Sequence, residues 1–222
     1  QDLLKYPRTL DADLKMLSGL LRENDFVFVP PVEEIYPEPD TRLFDFGNLD
    51  KVMEGVHRPG HFNGVAQVVS RLFDIIRPSC AFFGQKDFQQ LTIIRELVRR
   101  EYPRTEIIAC PIVREHDGLA MSSRNRRLLV QHRERAGEIY RTLIAAAAMI
   151  NDYEINEIKD FVTDRINMIP DFRLEYFEIV EEGTLQPVRA VIEMSPEKNY
   201  YGCIALWAGE IRLIDNIAVG LR

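Results

Sequence analysis

The 222 residues contain only three cysteines, Cys80, Cys110 and Cys203, far apart and each inside an apolar run. An odd count without a framework spacing excludes a disulfide scaffold and points to reduced core thiols in the cytoplasm. No apolar stretch approaches membrane-spanning length; even residues 143–150 are short and alanine-rich. A concentrated basic face is missing too. The 28 Lys and Arg are dispersed and outnumbered by 35 Asp and Glu, for a net charge of −7. Binding to a phosphate backbone needs clustered cations, so neither nucleic acid nor a membrane is expected as a partner. Histidines are few, and they supply no ligand set. His57 and His61 are four apart, but Pro59-Gly60 between them prevents the helix that would aim both rings at one metal. No protein metal site is expected, and His116 and His132 read as surface residues.

What is present is enough apolar side chain, 46% of residues, for one large core or two modest ones. Leu10, Leu14, Leu17 and Leu21 repeat at helical spacing, with Thr9 as the N-cap. Residues 26–29, stopped by Pro30-Pro31, read as a buried strand, and residues 31–50, rich in proline and acid, as a long loop. Phe62, Val65, Val69, Leu72, Phe73 and Ile76 make an amphipathic helix stripe. A strand at 79–83, a helix marked by Phe88, Leu91, Ile94 and Val98, and a strand at 107–113 follow. That alternation predicts a parallel sheet covered on both faces. The pattern then changes to two helices, 129–150 and 155–169, and strand-like segments at 174–180, 188–194, 201–207 and 211–217. Ala208-Gly209-Glu210 should turn the last two into a hairpin. The fold class is therefore α/β: a parallel-sheet domain over residues 1–113, then a smaller α+β domain with an antiparallel sheet over 114–222.

Two polar clusters carry the chemistry. The first is Gly84-Gln85-Lys86-Asp87-Phe88-Gln89-Gln90, at the strand-to-helix turn where open α/β sheets bind ligands. Gly84 lets backbone approach a ribose or phosphate, Lys86 suits a phosphate oxygen, and Asp87 can accept from ribose hydroxyls. Gln90, one turn on, can bond a neutral polar substrate. An ordinary turn, with Asp87 capping the helix and Lys86 solvated, fits the same spacing. The second cluster is Gly118-Leu119-Ala120-Met121-Ser122-Ser123-Arg124-Asn125, after the turn Asp117-Gly118. Met121 to Asn125 resembles the loop that class I aminoacyl-tRNA synthetases use on triphosphates. Ser122 and Ser123 can donate to phosphate oxygens and Arg124 can bridge two of them. A polar interdomain linker with Asn125 capping the next helix is the alternative. Taken together, the clusters read as an ATP site at the seam between domains. A third stretch, His57 to Gly64, reads as a turn into a helix with Arg58 and His61 toward the pocket.

Six motifs stand in an order that resembles the pantoate–β-alanine ligase family. They are Tyr6-Pro7-Arg8-Thr9, Glu54-Gly55, Arg58-Pro59-Gly60-His61-Phe62, the Gly84 to Gln90 and Asp117 to Asn125 clusters, and Arg212-Leu213-Ile214-Asp215-Asn216. The resemblance spans essentially the whole chain. It implies a Rossmann-like nucleotidyltransferase domain and a two-step reaction with ATP, pantoate and β-alanine through pantoyl adenylate. It also implies that Gly84, Gln85, Lys86 and Asp87 hold ribose and phosphates, that the Val113 backbone meets the adenine, and that Met121, Ser122, Ser123 and Arg124 close over the β- and γ-phosphates. Gln90 would bind pantoate in a pocket lined by Val65 and Val69, Mg²⁺ would ride on ATP, and the family is usually a homodimer. The family's His-x-Gly-His turn and Asn-Pro-x-Gln-Phe segment do not occur here, and the first residue is Gln1. The expectation is an N-terminally truncated piece, lacking the first strands of its sheet, with little or no ligase activity alone. Two other functions fit parts of the pattern: a non-catalytic nucleotide-binding fragment, and a nucleotidyltransferase of the same superfamily. Gln90 argues against the latter, since a phosphorylated acceptor would draw extra cations to that helix.

Overall fold

Strand and helix alternate as the periodicity predicts in the computed structural model, which describes residues 9–221. Tyr6, Pro7 and Arg8 of the first motif lie outside the described residues. The chain divides at Thr41/Arg42 into two compact units. In the first, α1 (Leu10–Ser18) follows Thr9, whose hydroxyl donates to the Asp13 carboxylate at 3.3 Å and makes no side-chain cap. A single helical turn, α2 (Val32–Ile35), interrupts the loop expected there. Residues 26–29 form no strand, and Phe26 is 76% exposed. No neighbouring strand pairs with them among the described residues, and an unpaired strand leaves its backbone groups unsatisfied.

The second unit starts with α3 (Glu54–His57) and α4 (His61–Ile76). Next come β1 (Cys80–Gly84), α5 (Phe88–Glu101) and β2 (Glu106–Cys110). The two strands pair in parallel, with Cys80 opposite Glu106 and Gly84 opposite Cys110. A parallel pair needs a crossover, which α5 supplies. Phe62, Ala66 and Phe73 of α4 pack on Ile93, Ile94, Leu97 and Val98 of α5 and on Phe46 to make one core. The second strand ends at Cys110, short of the expected 113. Residues beyond it turn back on themselves: Arg114 bridges to Ala120, and Met121 N–H donates to the Val113 carbonyl at 2.9 Å.

The remainder is α6 (Val130–Arg135), α7 (Gly137–Met149) and α8 (Ile155–Asn167) on a sheet of β3 (Phe172–Glu181), β4 (Tyr200–Ala208) and β5 (Ile211–Val219). The strands are antiparallel and lie in sequence order. Ile155, Ile158, Val162 and Ile166 form a helical stripe that joins Ile139 and Leu143 over Phe177, Ile179, Ile204 and Leu206. A small cluster of Met53, Phe88, Val180, Leu185 and Cys203 ties the antiparallel sheet to the start of α5 and the loop before α3. No helix among the described residues is long and apolar enough to cross a membrane.

Three expectations are corrected. The helix expected over 129–150 breaks at Ala136, between α6 and α7. There the Gly137 backbone lies against the loop before it: a Cβ at Gly137 would stand 2.8 Å from the Asp117 carbonyl. Residues 188–194 form no strand but a 3₁₀ turn at Val191–Glu193, with Ile192 93% exposed. Pro187 and Pro196 flank this stretch, and proline cannot donate to a ladder. His132, expected at the surface, is buried beside Asp171, with Nε2 3.2 Å from Oδ2. Its ring fills the space left by Gly209, where a Cβ would lie 2.6 Å from it. His116 is exposed, as expected.

Candidate active site

The turn between β1 and α5 begins where the strand ladder ends, with Gln85 N–H donating to the Cys110 carbonyl at 2.8 Å. Asp87 occupies the N-cap position of α5, yet its side chain makes no cap hydrogen bond and is exposed. The carboxylate therefore does not cap the helix, contrary to the plain turn alternative. Gln89 and Gln90 part company here. Gln89 is buried: its Oε1 accepts from Glu54 N–H at 2.9 Å, and its Nε2 donates to the Leu49 and Val52 carbonyls at 2.7 and 2.9 Å. Gln90 is half-buried and lines the cleft together with Lys86 and Asp87.

The facing wall is the loop that Gln89 holds. Met53 sits at φ +42° and a Cβ on Gly55 would meet the Asp50 carbonyl oxygen at 2.0 Å, so this tight bend depends on its anchors. Glu54 provides them. Its carboxylate accepts from both Arg212 guanidinium nitrogens at 2.8 and 2.7 Å and from the Tyr176 hydroxyl at 2.8 Å. Arg212 also pairs with Glu175, which accepts from Trp207 Nε1 at 2.9 Å. Burial pushes the Glu54 carboxyl up, but Arg212 and Tyr176 more than offset it and hold it below the ordinary carboxylate range. The loop so anchored delivers Arg58 and His61 to the cleft. His57 does not join them: its ring stacks on Tyr176 with centroids 5.6 Å apart. Among the described residues, no group of three or more His, Cys, Asp and Glu is placed to hold a metal ion.

Burial and then the Arg58 charge push the His61 imidazole below its ordinary value, against the opposing pull of Glu54 and Asp87, so it is neutral at pH 7. A depressed histidine means that the unfolded chain binds the extra proton first. Its contribution to stability is present above the unfolded pKa of 6.5 and is lost as pH falls through that value toward the folded one. Urea midpoints at pH 7.5 and 5.5 should therefore differ less in His61→Gln than in the unsubstituted chain. Equal differences would remove His61 as a source of acid sensitivity.

The second cluster folds as a tight loop. Glu115 N–H donates to the Leu119 carbonyl at 2.8 Å, and Asp117 accepts from Leu119 N–H at 3.2 Å and pairs with Arg133. Ser122 Oγ accepts from Arg124 N–H at 3.2 Å and so caps a 3₁₀ helix, Ser123–Arg127. Asn125 caps no later helix; it is buried in the loop, with Nδ2 donating to Glu115 at 3.2 Å and to the Ala120 carbonyl at 3.1 Å. Val113 and Met121 are exposed.

A profile of the family described as Pantoate-beta-alanine ligase matches residues 1–218. The pantothenate synthetase of Bacteroides fragilis (strain YCH46) is 52% identical over 216 residues, which are 97% of this chain and 75% of the relative. That of Azobacteroides pseudotrichonymphae is 55% identical over 218 residues, 97% of this chain and 76% of the relative. The chain belongs to the pantoate-beta-alanine ligase family. The solved pantothenate synthetase of Thermus thermophilus superposes at a TM-score of 0.89 with 38% identity, covering 100% of this chain and 78% of that one. A pantoate-beta-alanine ligase from Francisella tularensis, solved in complex with beta-gamma ATP and beta-alanine, superposes at 0.73 with 29% identity, over 97% and 72% of the two chains. The fold is thus the nucleotidyltransferase type of the ligase family, and its members are enzymes that form an amide with ATP.

Set against the expected site of this ligase family, one cleft gathers Arg58, His61, Lys86, Asp87 and Gln90. Arg124 is close enough for its charge to act on His61. Gly84, Gln85, Val113, Met121, Ser122 and Ser123 do not line that cleft, and Val65 and Val69 pack against the core between α4 and α5. The residues that hold the walls, Gln89, Glu54, Tyr176, Arg114, Asp215 and Asn216, were seen in the sequence only as motif letters or not at all. Four of them lie in the quoted motifs, and nothing in the spacing reveals that Glu54 and Arg212, 158 residues apart, are partners.

Proposed function

We propose that the cleft between the β1–α5 turn and the Glu54-anchored loop is where this ligase joins pantoate to β-alanine with ATP. The reading rests on one observation above all. Lys86, Asp87 and Gln90 share that cleft with Arg58 and His61, which brings a phosphate cation, a ribose acceptor and a neutral polar contact within one ligand's length. Gly84 and Gln85 take the phosphates by backbone with Lys86, Asp87 takes the ribose, and the Val113 backbone meets the adenine. Met121, Ser122, Ser123 and Arg124 close over the β- and γ-phosphates. Gln90, Arg58 and His61 hold pantoate, and Val65 and Val69 support the pocket from behind.

In the first step a pantoate carboxylate oxygen bonds to the α-phosphorus while the bond from that phosphorus to the bridging oxygen breaks, and pyrophosphate leaves. Lys86 and Arg124 stabilise the charge that builds on the phosphates. Mg²⁺ carried on the triphosphate would supply further charge neutralisation there. In the second step the amine of β-alanine bonds to the acyl carbon, the bond to the AMP oxygen breaks, and a proton leaves the nitrogen. Neutral His61 is suited to take that proton. Three free thiols fit a cytoplasmic home, and a stripe of exposed Val68, Ile75 and Ile76 on α4 fits a homodimer.

The test is a product balance. Pyrophosphate release should require both ATP and pantoate, and AMP release should rise with β-alanine. Nucleotide transfer to a phosphorylated acceptor, or ATP breakdown without pantoate, would overturn the assignment. Gln90→Leu should raise the pantoate KM roughly 10–100-fold, since a buried polar group of the substrate loses its partner, with the ATP KM nearly unchanged.

A further inference from the structure

We propose that Asp215 and Asn216, adjacent on β5, are positioning residues that hold the two ATP loops in register with one another. This rests on the cleft assignment above, and neither side chain is asked to touch the nucleotide. Asn216 is 2% exposed, and its Nδ2 donates to two backbone carbonyls of the first loop, Gln85 at 3.0 Å and Lys86 at 3.1 Å. Two acceptors converging on one group can be met only by an NH₂, which fixes the amide's orientation. Its Oδ1 is then buried with no partner among the described residues. Proteins rarely leave an acceptor so, and they do it where a local geometry has to be held.

The neighbouring carboxylate holds the second loop. Asp215, 4% exposed, takes Arg114 in a bidentate pair at 2.6 and 3.0 Å. The same guanidinium donates to the Gly118 carbonyl at 2.9 Å and lies 3.6 Å over the Tyr140 ring. Arg114 begins the loop that leads to Ser122 and Arg124, and Gly118 is its turn, so both its entry and its tip are pinned. The two clamps are themselves joined. Asp215 Oδ1 accepts from Asn216 N–H at 2.7 Å, and Arg114 donates to the Asn216 carbonyl at 3.3 Å. One dipeptide on a paired strand therefore sets the spacing between Lys86 and the Ser122 to Arg124 segment. A strand is a stiffer mount than either loop.

Asn216→Asp keeps the shape but replaces the NH₂ with an acceptor facing two carbonyls. Arg114→Lys keeps the charge but loses the fork. Titrating MgATP into the full chain by calorimetry should show a Kd weakened roughly 10–100-fold by Asn216→Asp and about 10-fold by Arg114→Lys, as expected when a site is displaced by about an ångström. Together the two substitutions should weaken binding less than the product of their separate effects, because they break one unit. Unfolding temperatures without ATP are measured alongside, with each titration run well below them. A lowered unfolding temperature with an unchanged ATP Kd would mean a merely structural role and would overturn the proposal, as would fully multiplicative effects. Should Asn216→Asp not fold, Arg114→Lys carries the test alone. Lys86→Met separates the two layers of argument. If it too leaves the Kd unchanged, the cleft assignment fails; if it weakens binding while Asn216→Asp and Arg114→Lys do not, only the register role fails.

Discussion

Arg212→Met is expected to destabilise the chain by about 3–5 kcal/mol, lowering the unfolding temperature by roughly 6–20 °C for a protein of this size. The side chain of Arg212 is 16% exposed and stands between the carboxylates of Glu54 and Glu175, whose side chains are 11% and 13% exposed. Removing the guanidinium strands two negative charges in a shielded place, and it is their desolvation, more than any lost attraction, that sets the size of the effect. The control follows from the same physics. Arg212→Met with Glu54→Gln and Glu175→Gln should recover most of the loss, because neutral amides can still accept from Tyr176 and Trp207. Urea unfolding of the three chains decides it. If the triple variant is as unstable as the single one, packing of the arginine stem matters more than charge.

Lys86→Met should cut the rate of pantoate-dependent pyrophosphate release by roughly 10²–10³-fold, the usual cost of removing a preorganised group that meets developing charge. Its unfolding temperature should hardly move. Asn216 bonds to the Lys86 backbone carbonyl, which the substitution keeps. Lys86→Arg should restore part of the rate at most, since a planar fork does not place its charge where a compact ammonium does. A wild-type rate in Lys86→Met would move the phosphate site elsewhere. A loss of stability matching the loss of rate would make Lys86 structural.

The elements that could be read from the sequence were those whose signal is local. The stripe of Phe62, Val65, Val69, Leu72, Phe73 and Ile76 and the apolar run into Gly84 each show in a short window, so that α4, β1 and α5 fall where the pattern places them. Gln90 could be named for the same reason, one turn from Asp87. The misses are non-local. Residues 26–29 look like a strand because apolar content cannot say whether a partner strand is beside them. His132 looks superficial because its neighbours in sequence are polar, while its burial depends on Gly209 and Asp171. The break at Ala136 comes from the approach of Gly137 to Asp117. Gln89 and Gln90 show the limit best: identical and adjacent, they differ only in which way the helix turns them, one buried against the Glu54 loop and one half-buried at the cleft.

The register of the parallel pair also settles a redox question. Cys80 faces Glu106 at one end of the ladder and Cys110 faces Gly84 at the other. At about 3.3 Å per residue the two half-buried thiols stand roughly 13 Å apart along the strands, well beyond the reach of a disulfide. The third, Cys203, is buried, and that burial pushes its thiol up, away from the reactive thiolate. Oxidation therefore cannot close a loop across this sheet. A Cys80 or Cys110 thiol that is lost to an oxidant will be found capped or joined to another molecule.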